Sequence, residues 1–143
     1  MSQDDSTTYR TYTEHALPSV ARNNADPVLA RFGPYMPLPL FYFEFLPELK
    51  PSDVLVLLVI LRQTLGWTDK ETGSRKEREW ISQSLLARRT GLNRETVGIA
   101  TKRLFEFGII RIENEAGYAL ASAKERRRNQ ARTYYRPMPP DLP

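Results

Sequence analysis

Residues able to recognise nucleic acid concentrate in two stretches of the second half of the chain. Arg94 and Lys102 carry donors suited to guanine O6 and N7. Asn93 can bond adenine or a phosphate, and Glu95 can accept from cytosine N4. The candidate DNA-binding residues are Ser82, Gln83, Ser84, Asn93, Arg94, Glu95, Thr96, Gly98, Ile99, Lys102, Arg103, Lys124, Arg126, Arg127, Arg128 and Arg132.

The polar triplet Ser82-Gln83-Ser84 comes at the expected start of a helix. Free backbone N–H groups and side-chain hydroxyls at such a position suit a phosphate. Plain helix capping explains Ser82 equally well. Gly98 is also open to two explanations, since a glycine inside a helix costs ~1 kcal/mol relative to alanine. Its presence fits a close approach of DNA or close packing of another helix.

The densest basic run is Lys124-Glu125-Arg126-Arg127-Arg128, which we interpret as part of a loop over 123–131. On a loop beside DNA, such a run contacts the backbone or the minor groove, with an affinity that falls steeply with salt. A solubilising disordered loop is the alternative. We favour DNA contact because the run lies where the tip of a wing is expected.

Charge is divided unevenly along the 143 residues. Residues 1–50 hold four basic and six acidic residues of the 21 and 17 in the whole chain, so residues 51–143 hold 17 basic and 11 acidic, a net charge of +6. A basic domain behind an acidic segment is typical of a nucleic-acid binder, although a solvated surface has the same composition.

The composition excludes several classes of site. The chain has no cysteine, which excludes disulfides, cysteine zinc sites and thiol nucleophiles. Its single histidine, His15, excludes a cluster of histidines. Acidic pairs at 77/79 and 113/115 lie in charged stretches that we interpret as loops, and neither a P-loop nor a dinucleotide fingerprint occurs. We therefore expect no enzymatic activity, no metal and no cofactor.

Nothing in the sequence predicts a membrane segment or a secretion signal. The longest apolar run, Val54–Leu61, is far shorter than the ~20 residues of a membrane span. The first ten residues are polar and acidic, unlike a signal peptide. We expect a cytoplasmic, nucleoid-associated protein.

The candidate residues depend on a series of predicted helices. Pro51 and Asp53 predict a helix start, and the apolar run that follows favours a helix ending at Gly66, although its β-branched residues also suit a strand. Ser82 as N-cap and Gly91 as terminator predict a second helix. A third runs from the N-cap Asn93 to Gly108. The expected core face of the last two is Leu85, Leu86, Leu92, Val97, Ala100 and Leu104.

Shorter elements surround these three helices. The sequence predicts a helical turn near 27–32, a short helix near 40–45, a surface loop over 69–79, and strands at 109–112, 118–121 and 132–136. Helix, tight glycine turn, helix and hairpin is the order of a winged helix-turn-helix. We predict a mostly α fold with a small β-hairpin, divided into a flexible arm (1–34), a winged-helix domain (35–137) and a Pro-rich tail (138–143).

Four motifs resemble the N-terminal domain of phage replication protein O over about residues 35–137. They are Arg62-Gln63-Thr64-Leu65-Gly66-Trp67, Ile81-Ser82-Gln83-Ser84-Leu85-Leu86-Ala87, Thr90-Gly91-Leu92-Asn93-Arg94-Glu95-Thr96-Val97, and Leu104 with Gly108-Ile109-Ile110. The first is the most discriminating, since many winged-helix regulators share the helix-turn-helix half. The resemblance implies sequence-specific binding to origin DNA, often by a dimer on repeated sites, as the first act of replication initiation.

Other functions stay open on the sequence alone. The chain could be a winged-helix transcriptional regulator, or a DNA-docking or protein-interaction subunit whose partner surface is the aromatic segment Phe41–Phe45. The expected partner is double-stranded DNA, with a homodimer and a replication or transcription protein as further candidates and no membrane. DNA binding predicts strong salt dependence and sensitivity at Arg94 and Lys102, whereas protein interaction predicts sensitivity at Phe41–Phe45.

Overall fold

The structure, a computed structural model, describes residues 26–129 and 131–140. Most of the predicted arm and the end of the predicted tail lie outside the described residues. Five α-helices, one 3₁₀ helix and three strands make up the described part. In chain order they are α1 (Pro27–Ala30), the 3₁₀ helix (Leu40–Glu48), α2 (Pro51–Gln63), β1 (Glu79–Trp80), α3 (Gln83–Thr90), α4 (Arg94–Glu106), β2 (Ile110–Glu113), α5 (Ala123–Arg128) and β3 (Tyr134–Pro137).

Each predicted helix is present, and the predicted turn at 27–32 and short helix at 40–45 appear as α1 and the 3₁₀ helix. No helix in the described part of the chain is long and apolar enough to cross a membrane.

Helix α2 forms because its start is capped and its buried side is apolar apart from Asp53. The Asp53 carboxylate accepts a hydrogen bond from the Lys50 backbone N–H at 2.9 Å, and Pro51 supplies the fixed φ of a first helical residue. The helix ends before Gly66, where a Cβ would lie 2.4 Å from the Arg62 carbonyl oxygen. The apolar run is therefore a buried helix, and the strand alternative is wrong.

Helices α3 and α4 are joined by a tight turn. Ser82 Oγ caps α3 by accepting from the Leu85 N–H at 3.0 Å, and Asn93 Oδ1 caps α4 by accepting from the Thr96 N–H at 2.8 Å. Between them Gly91 has a φ of 75°, a left-handed conformation that glycine adopts without strain. Both predicted caps and the predicted turn are confirmed.

The core lies where α2, α3 and α4 meet the sheet. Leu86, Val97, Ala100 and Leu104 are fully buried, while Leu85 and Leu92 are partly buried against the same cluster, as predicted. The 3₁₀ helix adds Tyr42, whose hydroxyl donates to the Met138 carbonyl at 3.4 Å; its burial raises the pKa of Tyr42 to about 12. Remaining core residues are Val56, Leu57, Ile60, Leu61, Ile81, Ile109, Ile110, Ile112, Leu120 and Tyr135.

The β-structure differs from the predicted hairpin. Three strands form an antiparallel sheet in the order β1-β3-β2, with Ile112 opposite Tyr135 and Tyr135 opposite Glu79. The third strand, β1, follows the predicted 69–79 loop and is too short to show a period. The strand expected at 118–121 is reduced to a single bridge between Glu113 and Ala119.

The loop predicted over 123–131 is also wrong, because residues Ala123–Arg128 form helix α5. Ser122 Oγ accepts from the Glu125 N–H at 3.1 Å, and the Glu125 carboxylate accepts from the Ala121 N–H at 2.9 Å. This Ser-x-x-Glu spacing is a helix-start signal. The high charge of the run hid it from an interpretation based on hydrophobic periodicity.

Candidate nucleic-acid interface

A single groove of about 580 Å³ collects residues from α3, α4, α5 and the sheet, and we refer to it as the groove. Eight of the predicted DNA-binding residues line it, although they come from three separate segments of the chain. The lining residues are Trp80, Ile81, Ser82, Gln83, Glu95, Gly98, Ile99, Thr101, Lys102, Ala123, Arg126, Arg127, Ala131, Thr133 and Tyr135.

Helix α4 supplies one wall of the groove. Glu95, Ile99 and Lys102 are spaced i, i+4 and i+7, so they share one helix face. Lys102 lies 3.8 Å from the Glu106 carboxylate in an exposed pair. An ideal Cβ on Gly98 would meet no heavy atom within 4 Å, so packing against the described residues does not require glycine there. Thr101 is buried and donates to the Gly98 carbonyl at 2.9 Å.

The start of α3 contributes Ser82 and Gln83 to the lining of the groove. Gln83 Nε2 donates to the Tyr135 hydroxyl at 3.1 Å, which ties the first turn of α3 to the middle of β3. Burial raises the pKa of Tyr135, opposed by the hydrogen bond from Gln83 and the positive charge of Arg126. The hydrogen bond therefore fixes the exposed Gln83 side chain in the lining of the groove.

The other predicted residues at the start of α4 lie outside the groove lining. The Arg94 guanidinium donates to Ser84 Oγ, so these two exposed side chains hold each other across the turn. The amide oxygen of Asn93 is occupied by its capping bond to Thr96. Ser84, Asn93 and Arg94 are exposed outside the groove lining, and hydrogen bonds within the helix-turn-helix segment hold their side chains in place.

Arg103 differs most from its prediction. Its Nε lies 3.2 Å from the Asp53 carboxylate, which is 1% exposed, so the side chain crosses from α4 to α2. A buried carboxylate needs such a partner. This contact gives Arg103 a structural role, and we leave it out of the proposed interface.

The basic residues of α5 divide in the same way. Arg126 is half-buried, lies 5.8 Å from the centre of the Phe105 ring and donates to the Leu120 carbonyl at 3.3 Å. Arg127 and Arg128 are exposed, as is Lys124, and none forms an ion pair with a residue that the structure describes. Arg127 lines the groove, whereas Lys124 and Arg128 do not.

Trp80 lines the groove but is not among the DNA-binding residues predicted from the sequence. Trp80 is half-exposed at the groove edge, and the Arg132 guanidinium lies 4.6 Å from the centre of its ring. Such stacking is a cation–π contact. No spacing signal could have identified the pair, because residues 80 and 132 meet only through the pairing of β1 with β3.

Glu113 was interpreted from sequence as part of a charged loop, but it is a buried residue of β2. Its carboxylate lies 2.8 Å from Arg78 Nε, 2.8 Å from Arg111 Nε and 3.1 Å from Arg136 Nε. These four residues form the sheet cluster. Arg78 also donates to the Asn114 carbonyl at 2.7 Å and lies over the Tyr134 ring, so the cluster ties β2 and β3 to the segment before β1.

The aromatic segment Phe41–Phe45 contributes mainly to packing. Tyr42 belongs to the core, and Phe41 and Phe45 pack against it. Phe43 is 51% exposed and Leu40 is 81% exposed, so these two side chains leave apolar surface open to a protein partner.

Comparison with known proteins adds no relative. No protein-family model, curated protein or solved structure matches the chain. The resemblance to phage replication protein O therefore stands on its sequence motifs alone. Among the described residues, no group of three or more His, Cys, Asp or Glu side chains could hold a metal ion.

Proposed function

We propose that this chain binds double-stranded DNA through a winged helix-turn-helix. In this proposal α4 enters the major groove, α3 crosses the backbone, and the long connection between β2 and β3 is the wing. The order α2-β1-α3-α4-β2-α5-β3 and the sheet order β1-β3-β2 support this arrangement, since a helix-turn-helix with a small antiparallel sheet is typical of winged-helix proteins.

The observation that carries the proposal is the convergence of predicted DNA-binding residues on the groove. Residues 82–83, 95–102 and 126–127 are far apart in sequence and line one depression. Helix α4 has 13 residues, a length of ~20 Å, and an α-helix with its side chains fits a major groove about 12 Å wide. Its exposed face carries a donor, an acceptor and an apolar group.

Charge supports the same surface. Lys124, Arg127 and Arg128 lie on α5 without a carboxylate partner among the described residues, so their charge is available to phosphates. Phosphate contacts of this kind set orientation and affinity, while the α4 side chains read the bases. The DNA-binding set we propose is Ser82, Gln83, Ser84, Asn93, Arg94, Glu95, Thr96, Gly98, Ile99, Lys102, Lys124, Arg126, Arg127, Arg128 and Arg132.

The biological process we propose is replication initiation at an origin of a phage or mobile element. The motifs shared with phage replication protein O support it, and a homodimer on repeated sites would follow. Transcriptional regulation is the alternative for the same DNA-binding surface. The location of the selected site distinguishes them: repeats within an origin favour initiation, whereas a promoter favours regulation.

The proposal is tested by measuring the affinity for random-sequence duplex DNA across a salt series. The wild-type chain is expected to bind in the micromolar range, with an affinity that falls steeply as salt rises. The double variant Arg127→Ala/Arg128→Ala should make the negative slope of log K against log[salt] shallower by about 1.8, the value for two lost phosphate contacts. Arg126 is left intact because it packs against Phe105.

A matched control removes the same charge elsewhere. Arg31 and Lys70 are exposed and lie outside the groove, so Arg31→Ala/Lys70→Ala should retain the wild-type slope. An equal loss in both double variants would mean that only net charge matters, and it would overturn the proposed surface. Absence of binding at low salt would overturn DNA binding itself.

A further inference from the structure

Ile99 is the large apolar residue that α4 leaves most exposed. Its side chain is 54% exposed, whereas Val97, Ala100 and Leu104 of the same helix are fully buried and Phe105 packs against the core. It also lines the groove. About half of the Ile99 side chain is therefore open to a partner that enters the groove.

The neighbours of Ile99 restrict what that partner can be. Glu95 and Lys102 flank it by one turn on either side of the same helix face, so a purely apolar partner would bury both charges without compensation. A base-pair edge in the major groove of DNA can contact the apolar side chain of Ile99, the carboxylate of Glu95 and the ammonium group of Lys102. Thymine offers a C5-methyl group beside its O4 acceptor, and adenine and cytosine offer amino donors to a carboxylate.

The space beside Ile99 permits this contact. Gly98 carries no side chain, and nothing in the described structure lies within 4 Å of where its Cβ would be. A base edge can therefore approach the helix backbone next to the isoleucine. A larger residue at 98 would extend into the space that the base pair must enter.

We propose that Ile99 is a specificity-determining residue that reads the methyl group of a thymine in the major groove. This inference rests on the proposed function, because it requires α4 to lie in the major groove of duplex DNA. It assigns a chemical preference to one position of the bound site: an A·T pair recognised through the thymine methyl, next to a position read by Glu95 or Lys102.

The test begins by selecting the preferred site from a random duplex pool with the wild-type chain. Each thymine of the consensus is then replaced in turn by deoxyuridine, which removes only the methyl group. At one position the wild-type chain should bind the uracil duplex about fourfold more weakly than the thymine duplex, the effect of one methyl-sized group lost from a buried contact. The Ile99→Ala variant should bind these two duplexes equally well. The Ile99→Val and Arg94→Ala variants should keep the fourfold preference for thymine.

The binding results distinguish a wrong role for Ile99 from a failure of DNA binding itself. A consensus without a fixed A·T pair, or one in which no uracil substitution weakens binding, would overturn the role of Ile99 and leave DNA binding intact. Uracil sensitivity that persists in Ile99→Ala would assign the methyl contact to another residue. Failure to bind any duplex at low salt would overturn the proposed function and this inference together.

Discussion

The sheet cluster and the groove both contain several arginines, but they differ in what surrounds the guanidinium groups. In the sheet cluster, three arginines converge on the carboxylate of Glu113, which is almost fully buried. Around the groove, Arg127 is exposed and has no such partner among the described residues. The same side chain therefore stabilises the fold in one region and is available for a ligand in the other.

This difference shows why net charge alone does not locate an interface. The positive charge of residues 51–143 is shared between arginines that are paired with a buried carboxylate and arginines that have no such partner among the described residues. Arg103 belongs to the first kind because of Asp53, although it lies next to Lys102 in sequence. Four sets of substitutions test the distinction, in order of decreasing expected effect.

Replacing Glu113 by alanine should have the largest effect. It leaves three arginines close together without their shared anion, and removing one partner of a buried ion pair costs about 3 kcal/mol or more. We expect the free energy of unfolding, measured by urea denaturation, to fall by about 3 kcal/mol. Glu115→Ala, at an exposed position in the same segment, is the control and should change it little. A loss below ~0.5 kcal/mol, the range of ordinary surface substitutions, would contradict a structural role for the cluster.

Arg103→Ala and Lys102→Ala form a matched pair on adjacent residues. Arg103→Ala should lower the free energy of unfolding by about 2 kcal/mol, since Asp53 stays buried and keeps only its hydrogen bond from Lys50. Its DNA affinity at constant folded fraction should stay near that of the wild type. Lys102→Ala should show the reverse, with unchanged stability and weaker binding. The same pattern in both variants would refute the division of roles.

Ser122→Ala tests whether α5 must be helical to present its arginines. Loss of the N-cap acceptor should cost about 1 kcal/mol, confined to α5. Amide hydrogen exchange should speed up at residues 125–128, and DNA affinity should fall by a few-fold without a change in global unfolding. Ser122→Asp keeps a capping oxygen and should restore slow exchange. Unchanged exchange in Ser122→Ala would show that tertiary contacts alone hold the helix.

Glu106→Gln should have the smallest effect. Lys102 lies 3.8 Å from the Glu106 carboxylate, and an exposed pair spaced i, i+4 is worth about 0.3–0.5 kcal/mol. Releasing Lys102 should raise DNA affinity about twofold at low salt, measured by titration. In the Lys102→Ala background the gain should disappear. If it persists there, the effect of Glu106 is a general charge repulsion from DNA.

Much of the helical framework could be predicted because its signals are local. Ser82, Gly91 and Asn93 act on hydrogen bonds within a few residues of themselves, and the period of Val97, Ala100 and Leu104 marks a single helix face. The α5 helix carried an equally local signal, Ser122 with Glu125, which the basic run obscured. The loop predicted over 123–131 was therefore wrong although the sequence carries the start signal of a helix.

The pairing of charges could not be predicted in this way. Glu113 and Glu115 look alike in sequence, yet one is buried among arginines from positions 78, 111 and 136 and the other is exposed. Which arginines remain available to a ligand depends on these distant partners. The same holds for Trp80 and Arg132, which meet across paired strands.

The sequence by itself determined where the helices begin and end, which faces form the core, and that the second half of the chain is basic. These properties follow from capping, backbone preference and periodicity, all of which act over a few residues. Only the tertiary structure decided that β3 lies between β1 and β2, that Arg103 belongs to Asp53, and that Ile99 faces an open groove. Those outcomes depend on contacts between residues far apart in the chain, because a charge or an apolar group is defined by what surrounds it after folding.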